Sequence, residues 1–209
     1  MLGDVLLITE KHKKAAKRIV EKISSFELDK YTIAIGGESG SGKSEVSHMI
    51  SKLLKKQGVL AKILHTDNYY KTLPQERTEW RKKHGIESIG YTELDWDIIN
   101  RNIDDFKKNR ESTMPCIDLL TDQVDTLITN FDGISVLILD GLFCLKAAVD
   151  LKIHIDLTYH DTKKAQIIRG KEPQTEFRLK VLKREHEVVQ SLKVQADLII
   201  TRDFDVIET

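Results

Sequence analysis

The stretch IGGESGSGKS, residues 35–44, constrains the fold of this chain more than any other sequence feature. It follows an apolar run at 31–35 and precedes an amphipathic stretch at 45–54, so there is no room for a flexible linker. Small residues placed between a strand and a helix favour a loop whose backbone comes very close to a ligand. The sequence therefore predicts a tight ligand-binding turn at this position.

The stretch fits the pattern G-x-x-x-x-G-K-[ST] of a phosphate-binding P-loop, through Gly37, Gly42, Lys43 and Ser44. Glycines let backbone N–H groups surround an anion, and the following helix adds the positive end of its dipole. The dinucleotide-binding pattern GxGxxG does not fit, because Gly40-Ser41-Gly42 is followed by Lys43, Ser44 and Glu45, and Glu45 stands where the pattern needs its third glycine. Lys43 is expected to neutralise the β- and γ-phosphates, and Ser44 to ligate Mg²⁺. The predicted nucleotide-binding residues are Gly37, Glu38, Ser39, Gly40, Ser41, Gly42, Lys43 and Ser44.

Composition limits the other classes of protein. The 209 residues carry 33 Lys+Arg and 33 Asp+Glu, a formal net charge of +0, which argues against non-specific binding to nucleic acid or anionic lipid. No apolar stretch approaches the roughly 18 residues of a membrane span, and the N-terminal charges are in the wrong order for a secretory signal. These features predict a soluble cytoplasmic protein without nucleic-acid or membrane partners.

Hydrophobic periodicity predicts strands that alternate with helices along the whole chain. Strands are expected at 31–36, 59–65, 135–141, 151–157 and 197–201, and helices at 10–25, 43–56, 95–106 and within 162–192. This alternation predicts an α/β fold with a mostly parallel sheet. We expect a single domain, 1–209, with an N-terminal helical extension at 1–28, an insertion near 66–94, and a lid with its following helix near 162–192.

Two aspartates follow predicted strands, at the sheet edge where ligands bind in open α/β folds. Asp67, in HTDNYY, is a candidate base for an acceptor hydroxyl or a candidate metal holder, and the alternative is an aspartate that only caps the next turn. Asp140, after four apolar residues, is a candidate Mg²⁺ support, and the alternative is a simple turn residue.

A basic segment, IIRGKEPQTEFR, breaks the helical pattern at Pro173. Arg169, Lys171 and Arg178 are candidates for closing over the phosphates and stabilising the transferred charge. The alternative is a solvated charged face.

Together these motifs resemble the uridine kinase-like branch of P-loop kinases, which also holds phosphoribulokinase and pantothenate kinase. The resemblance covers residues 31–202 and includes IAIGGESGSGKSEV, HTDNYY, LDWDIINRNIDDFKKN, LILDGLF and ADLIIT. It implies a catalytic role for Asp67 and a substrate contact for Tyr70, and Asp140 stands where the family has glutamate.

The chain departs from this family where the family binds the nucleoside. IGYT at 89–92, which contains Tyr91, stands in place of D-H-P-D, and IDLLTDQV at 117–124 retains only Asp118 of Y-D-F-x-x-H-x-R. Loss of the stacking ring and of the donors predicts weaker recognition of a pyrimidine base. The predicted acceptor contacts are Asp67, Tyr70, Tyr91 and Asp118.

The leading hypothesis is a kinase that uses ATP and Mg²⁺ to phosphorylate a hydroxyl of a small-molecule acceptor. No guanine-reading N/TKxD motif follows a strand, and the chain leaves little space for the machinery of a large mechanical ATPase. Two alternatives remain: a kinase of a non-nucleoside alcohol, such as a sugar or vitamin, and a regulatory protein that binds nucleotide but has lost its acceptor. Related kinases also suggest a homo-oligomer.

Overall fold

The computed structural model describes residue 3, residues 5–169 and residues 175–209 of the chain. Helices and strands alternate from α1 to β2, and beyond β2 they occur in runs of two helices or several strands, with short 3-10 turns between some of them. The helices are α1 (Glu10–Ile23), α2 (Lys43–Lys56), α3 (Pro74–His84), α4 (Trp96–Lys107), α5 (Lys163–Arg169) and α6 (Glu176–Lys193). The strands are β1 (Tyr31–Gly37), β2 (Ala61–His65), β3 (Ser112–Asp118), β4 (Gln123–Thr129), β5 (Val136–Gly141), β6 (Leu151–Ile155), β7 (Leu198–Ile200) and β8 (Val206–Glu208).

A six-stranded sheet forms the centre of the molecule, in the order β2-β5-β1-β6-β7-β8. All of its pairings are parallel except that of β8, which runs antiparallel to β7. The prediction of an α/β fold with a mostly parallel sheet is therefore confirmed. Strands β1 and β5 are adjacent, so the P-loop and the turn after Asp140 leave the sheet at the same edge.

Apolar helix faces cover both sides of this sheet. One side packs against α1 and α2, and the other against α4 and α6. Along β1, Ile33 and Ile35 face the first side and Ala34 the second, as the two-residue period of a strand requires. The predicted N-terminal extension contributes to the core, because α1 buries Ala15, Ala16, Ile19, Val20 and Ile23.

The sequence patterns missed four of the described elements, namely α3, β3, β4 and β8. Helix α3 lies in the segment without apolar period, and most of its residues are exposed and polar. Strands β3 and β4 form a separate antiparallel hairpin, and β4 is exposed on both faces, which hides the two-residue alternation. Strand β8 is only three residues long. Helix α4 begins where it was expected, and it is capped by Asp95, whose side chain accepts a hydrogen bond from the Ile98 N–H.

A buried histidine in β6 makes stability depend on pH. His154 is fully buried, and neither ring nitrogen forms a hydrogen bond to the described residues. Burial, and next the charge of Lys193, lower its pKa from 6.5 to about 4, although Asp156, 4.0 Å away, acts in the opposite direction. Between these two pKa values the unfolded chain binds more protons than the folded one.

We therefore expect the free energy of unfolding to fall by about 3 kcal/mol as the pH drops from 6.5 to 4, at 1.36 kcal/mol per pKa unit. His154→Phe should flatten this part of the pH profile. Urea unfolding at several pH values measures it, with His48→Phe on the exposed face of α2 as the control. A slope that survives in His154→Phe would contradict this assignment.

Candidate active site

The P-loop joins the carboxyl end of β1 to the first residue of α2. Gly40 and Gly42 adopt φ angles of +77° and +96°, which residues other than glycine rarely adopt. A Cβ atom on Gly42 would also lie 2.6 Å from Nε2 of His12, which packs behind the loop from α1. The loop conformation therefore depends on glycine, and it directs the N-terminus of α2 towards a cleft of about 570 Å³.

Lys43 and Ser44 both line this cleft at the start of α2. The Lys43 ammonium group donates a hydrogen bond of 2.8 Å to the carbonyl of Glu38, across the loop. This contact holds the lysine at the P-loop, where an N-terminal helix dipole and backbone N–H groups favour phosphate. The electrostatics at this end of the cleft suit a polyphosphate.

The side chain of Glu38 lies beneath the loop and is almost completely buried. Its Oε2 accepts a hydrogen bond from the Tyr159 N–H (2.6 Å). Its Oε1 accepts one from the Gln190 side chain (3.1 Å) and lies 2.6 Å from His186 Nδ1. Helix α6 thus fixes the P-loop from below. Among the residues predicted to hold nucleotide, Glu38 has a buried side chain that anchors the loop to the rest of the fold.

Asp140 lies at the end of β5, only 2 % exposed, in register with His65 of β2. His65 Nδ1 is 2.6 Å from Asp140 Oδ1. Burial alone would raise the pKa of Asp140, but His65, Ser44 and the charge of Lys43 outweigh it and hold the pKa below its ordinary value. The carboxyl group is therefore ionised at neutral pH.

The second oxygen of Asp140, Oδ2, is buried and has no hydrogen-bond partner among the described residues. An unsatisfied carboxylate oxygen near a serine hydroxyl is a donor set that fits Mg²⁺. Among the described residues, no group of three or more His, Cys, Asp or Glu is arranged to hold a metal. Mg²⁺ does not require such a cage, because it is usually bound by one or two carboxylates, water and substrate phosphates.

Asp67 lies in the 3-10 turn Thr66–Tyr69 after β2 and lines the same cleft. Its carboxylate accepts no hydrogen bond from the rest of the described chain. Tyr70 follows it, and its ring faces the guanidinium of Arg77 at 3.5 Å. Burial raises the pKa of Tyr70 well above its ordinary value. The charge of Asp67 raises this pKa further and that of Arg77 lowers it by less than burial raises it, so the hydroxyl stays protonated.

A buried ionic network supports this end of the cleft. Arg81 of α3 donates two hydrogen bonds to Glu93, of 2.7 and 2.9 Å, and one of 3.0 Å to Glu185 of α6. Arg178, which lines the cleft, lies 3.5 Å from the other oxygen of Glu185. The network joins α3, α6 and the turn before α4.

The predicted site residues are only partly brought together. Lys43, Ser44, Asp67, Tyr70, Asp140 and Arg178 line one cleft. Neither Asp118 nor Tyr91 is among the residues that line this cleft. Asp118 accepts a hydrogen bond from the Leu120 N–H in the hairpin turn, and the ring of Tyr91 lies beside the Lys146 ammonium group. The side chain of Arg169 and the whole of Lys171 lie outside the described residues.

Sequence reasoning missed His65, Arg77, Arg81 and Glu185. His65 could have been recognised as a neighbour of Asp140, because it ends a strand that runs parallel to the strand carrying Asp140. Arg77 and Arg81 have the four-residue spacing of one helix face, but the helix that carries them lacks an apolar pattern. Glu185 could not be paired with Arg81 from sequence, since 104 positions separate them.

Among the described residues, no helix is both long and apolar enough to cross a membrane.

Comparison with known proteins gives consistent results. The model of the phosphoribulokinase/uridine kinase family matches residues 32–172. The chain is 27 % identical to the bifunctional α-galactosidase/sucrose kinase AgaSK of Mediterraneibacter gnavus, over 93 % of this chain and 23 % of that protein. It is also 27 % identical to a uridine kinase of Mycoplasma pneumoniae, over 80 % of this chain and 83 % of the relative.

The chain spans about a quarter of the length of three of the curated relatives that it matches. Among solved structures, phosphoribulokinase from Rhodobacter spheroides superposes with a TM-score of 0.63 at 14 % identity, over 84 % of this chain and 71 % of that one. At this identity the likeness is one of fold.

Proposed function

The chain belongs to the phosphoribulokinase/uridine kinase family, and we propose that it transfers the γ-phosphoryl group of ATP to a hydroxyl group of a small metabolite. The observation that carries the proposal is the convergence of Lys43, Ser44, Asp140 and Asp67 on one cleft. These side chains come from three separate strand ends, and together they supply the parts that phosphoryl transfer needs.

Each of these residues has a distinct task in the proposed reaction. Lys43 and the P-loop N–H groups hold the β- and γ-phosphates, and Asp67 accepts the proton of the acceptor hydroxyl. The acceptor oxygen forms a bond to the γ-phosphorus as the bond from that phosphorus to the β,γ-bridging oxygen breaks. The products are the phosphorylated acceptor and ADP, and the proton resides on Asp67 until it passes to solvent.

Ser44 and Asp140 are the residues that would hold Mg²⁺. Bound there, the ion would neutralise charge on the phosphates during transfer. The hydrogen bond from His65 to Asp140 would fix the orientation of the carboxylate, in the way that outer partners orient metal ligands. Arg178, which lines the cleft and pairs with Glu185, would stabilise charge on the phosphates.

The class of acceptor is a separate part of the proposal. Relatives are named for uridine and sucrose kinases, and the fold is shared with phosphoribulokinase, so nucleosides, sugars and sugar phosphates are all candidates. The hairpin turn places Leu119, Leu120 and Asp122 on the cleft wall, where uridine kinases are expected to carry the Y-D-F-x-x-H-x-R stretch. This substitution favours an acceptor other than a pyrimidine nucleoside. Assembly as a homo-oligomer stays a prediction.

The proposal is tested by ADP release from ATP with Mg²⁺ across nucleosides, sugars, sugar phosphates and vitamin alcohols. We expect release that depends on one acceptor class and that Lys43→Ala abolishes, because the phosphates lose their cationic partner. Lys52→Ala, on the exposed face of the same helix, should be active. ATP binding without acceptor-dependent release for any class would favour the regulatory alternative.

A further inference from the structure

We infer that the acceptor carries an anionic group, a carboxylate or a phosphate, in addition to the hydroxyl that is phosphorylated, and that Arg77 binds this group. The inference rests on the proposed function and names the substrate class of the same cleft. It is carried by the contacts of Arg77, which sequence reasoning did not identify as part of the site.

Arg77 stands on the wall of the cleft next to the proposed base. Its guanidinium carbon lies 3.5 Å from the centre of the Tyr70 ring, and both residues line the cleft together with Asp67. Stacking against an aromatic face fixes the plane of the guanidinium and leaves its N–H edge available for a planar or tetrahedral anion. The side chain is thus positioned before any ligand binds.

The hydrogen-bonding capacity of Arg77 is largely unused within the described chain. Its Nε is buried and has no hydrogen-bond partner there. Its Nη2 reaches only the carbonyl of Thr72, at 3.5 Å, which is the outer limit of a hydrogen bond. No carboxylate of the described residues forms an ion pair with it. Because a buried guanidinium N–H without a partner is costly, this arrangement points to a ligand that supplies the acceptor atoms.

The neighbouring carboxylates are already engaged elsewhere. Glu93 and Glu185 both accept hydrogen bonds from Arg81, and Glu185 also lies within ion-pair distance of Arg178. Asp67 is the remaining acid beside Tyr70, and it is required for the hydroxyl of the acceptor. Arg77 is therefore left to face the acceptor end of the cleft as an unneutralised cation, and a neutral alcohol would not satisfy it.

The test compares matched neutral and anionic acceptors. Fructose is paired with fructose 6-phosphate, and glycerol with glycerate and with glycerol 3-phosphate, so the last two distinguish carboxylate from phosphate. We expect at least one anionic member to exceed its neutral partner by about 10- to 100-fold in kcat/KM, the range of one charge-assisted hydrogen-bonded pair. Arg77→Gln should abolish that preference by raising KM for the anionic acceptor, and Arg77→Lys should restore part of it.

Lys83→Gln, an exposed change on the same helix, serves as the control and should retain the preference. Equal rates for neutral and anionic acceptors in the wild type would overturn the inference. So would an Arg77→Gln variant that lowers kcat equally for both members of a pair, because Arg77 would then act on the transferred phosphoryl group.

A binding measurement separates this inference from the proposed function. Calorimetry with saturating MgADP fills the phosphate site, and glycerate, glycerol 3-phosphate and glycerol are then titrated into the wild type and Arg77→Gln. Anion binding that Arg77→Gln weakens about tenfold or more supports the inference even if no acceptor is phosphorylated, in which case the kinase proposal alone fails. Absence of anion binding, or equal binding by both proteins, overturns the inference.

Discussion

Asp67→Asn is expected to lower the rate of phosphoryl transfer by about 10² to 10⁴ while the affinity for ATP changes little, because an amide cannot take the acceptor proton. The carboxylate lies on the cleft wall, accepts no hydrogen bond from the described residues and is close enough to Tyr70 to influence its hydroxyl. A side chain in this position is available for an acceptor and makes no structural contact that asparagine would break. The size of the substitution is also matched, so stability should be retained.

Single-turnover measurements with saturating ATP report the transfer step, and calorimetry with a non-hydrolysable ATP analogue reports binding. Asp125→Asn, which removes an exposed carboxylate from β4, is the control and should transfer at the wild-type rate. If Asp67→Asn retained more than about a tenth of the wild-type rate, Asp67 would not be the general base. If it lost ATP binding instead, Asp67 would belong to the metal site.

Arg81→Met is expected to lower the free energy of unfolding by about 3 to 5 kcal/mol, because it removes the partner of two buried carboxylates. Arg81 is 4 % exposed and makes three hydrogen bonds to Glu93 and Glu185, which are themselves buried. Burial tends to lower the pKa of Arg81, but these carboxylates raise it beyond its ordinary value, so the guanidinium is always charged. Without it, Glu93 loses two hydrogen bonds and Glu185 keeps the longer ion pair with Arg178, so the acids must take up protons or draw water into the contact between α3 and α6.

Urea unfolding at pH 7 measures the loss, and Lys82→Met is the control on the next residue. Lys82 pairs with Glu79 in an exposed position, where a salt bridge contributes about 0 to 1 kcal/mol. Arg81→Lys should fall between the two, since it keeps the charge but loses the fork of donors. Stability of Arg81→Met within 1 kcal/mol of the wild type would show that the network is not needed to hold the acceptor wall.

The five parallel strands of the central sheet and the P-loop were predictable because local pattern determines them. A run of apolar residues such as 31–35 specifies a strand buried on both faces, and the glycines at 40 and 42 specify a loop that other residues could not form. The position of Asp140 in the site could also be predicted from the sequence, since ligands bind beyond the carboxyl ends of parallel strands. The phosphate half of the site therefore follows from local sequence.

The acceptor half follows from contacts between distant segments. Helix α3 has almost no apolar face, and it is held by Arg81 to residues of α6 and of the turn before α4. The carboxyl group of Asp118 is used by the hairpin turn, a contact that the family resemblance could not indicate. This part of the cleft wall is held by such long-range pairs, and a single sequence does not encode them as a pattern.

The central claim is that this cleft moves a phosphoryl group from ATP to a small alcohol. Its most direct test is to incubate the protein with Mg²⁺, ATP labelled in the γ-phosphate and a mixture of nucleosides, sugars, sugar phosphates and vitamin alcohols, and to identify the labelled product by mass spectrometry. We expect the label on one class of small organic molecule, and on none when Lys43→Ala replaces the wild type. Label that stays on ATP, or that is released only as inorganic phosphate, would contradict the account.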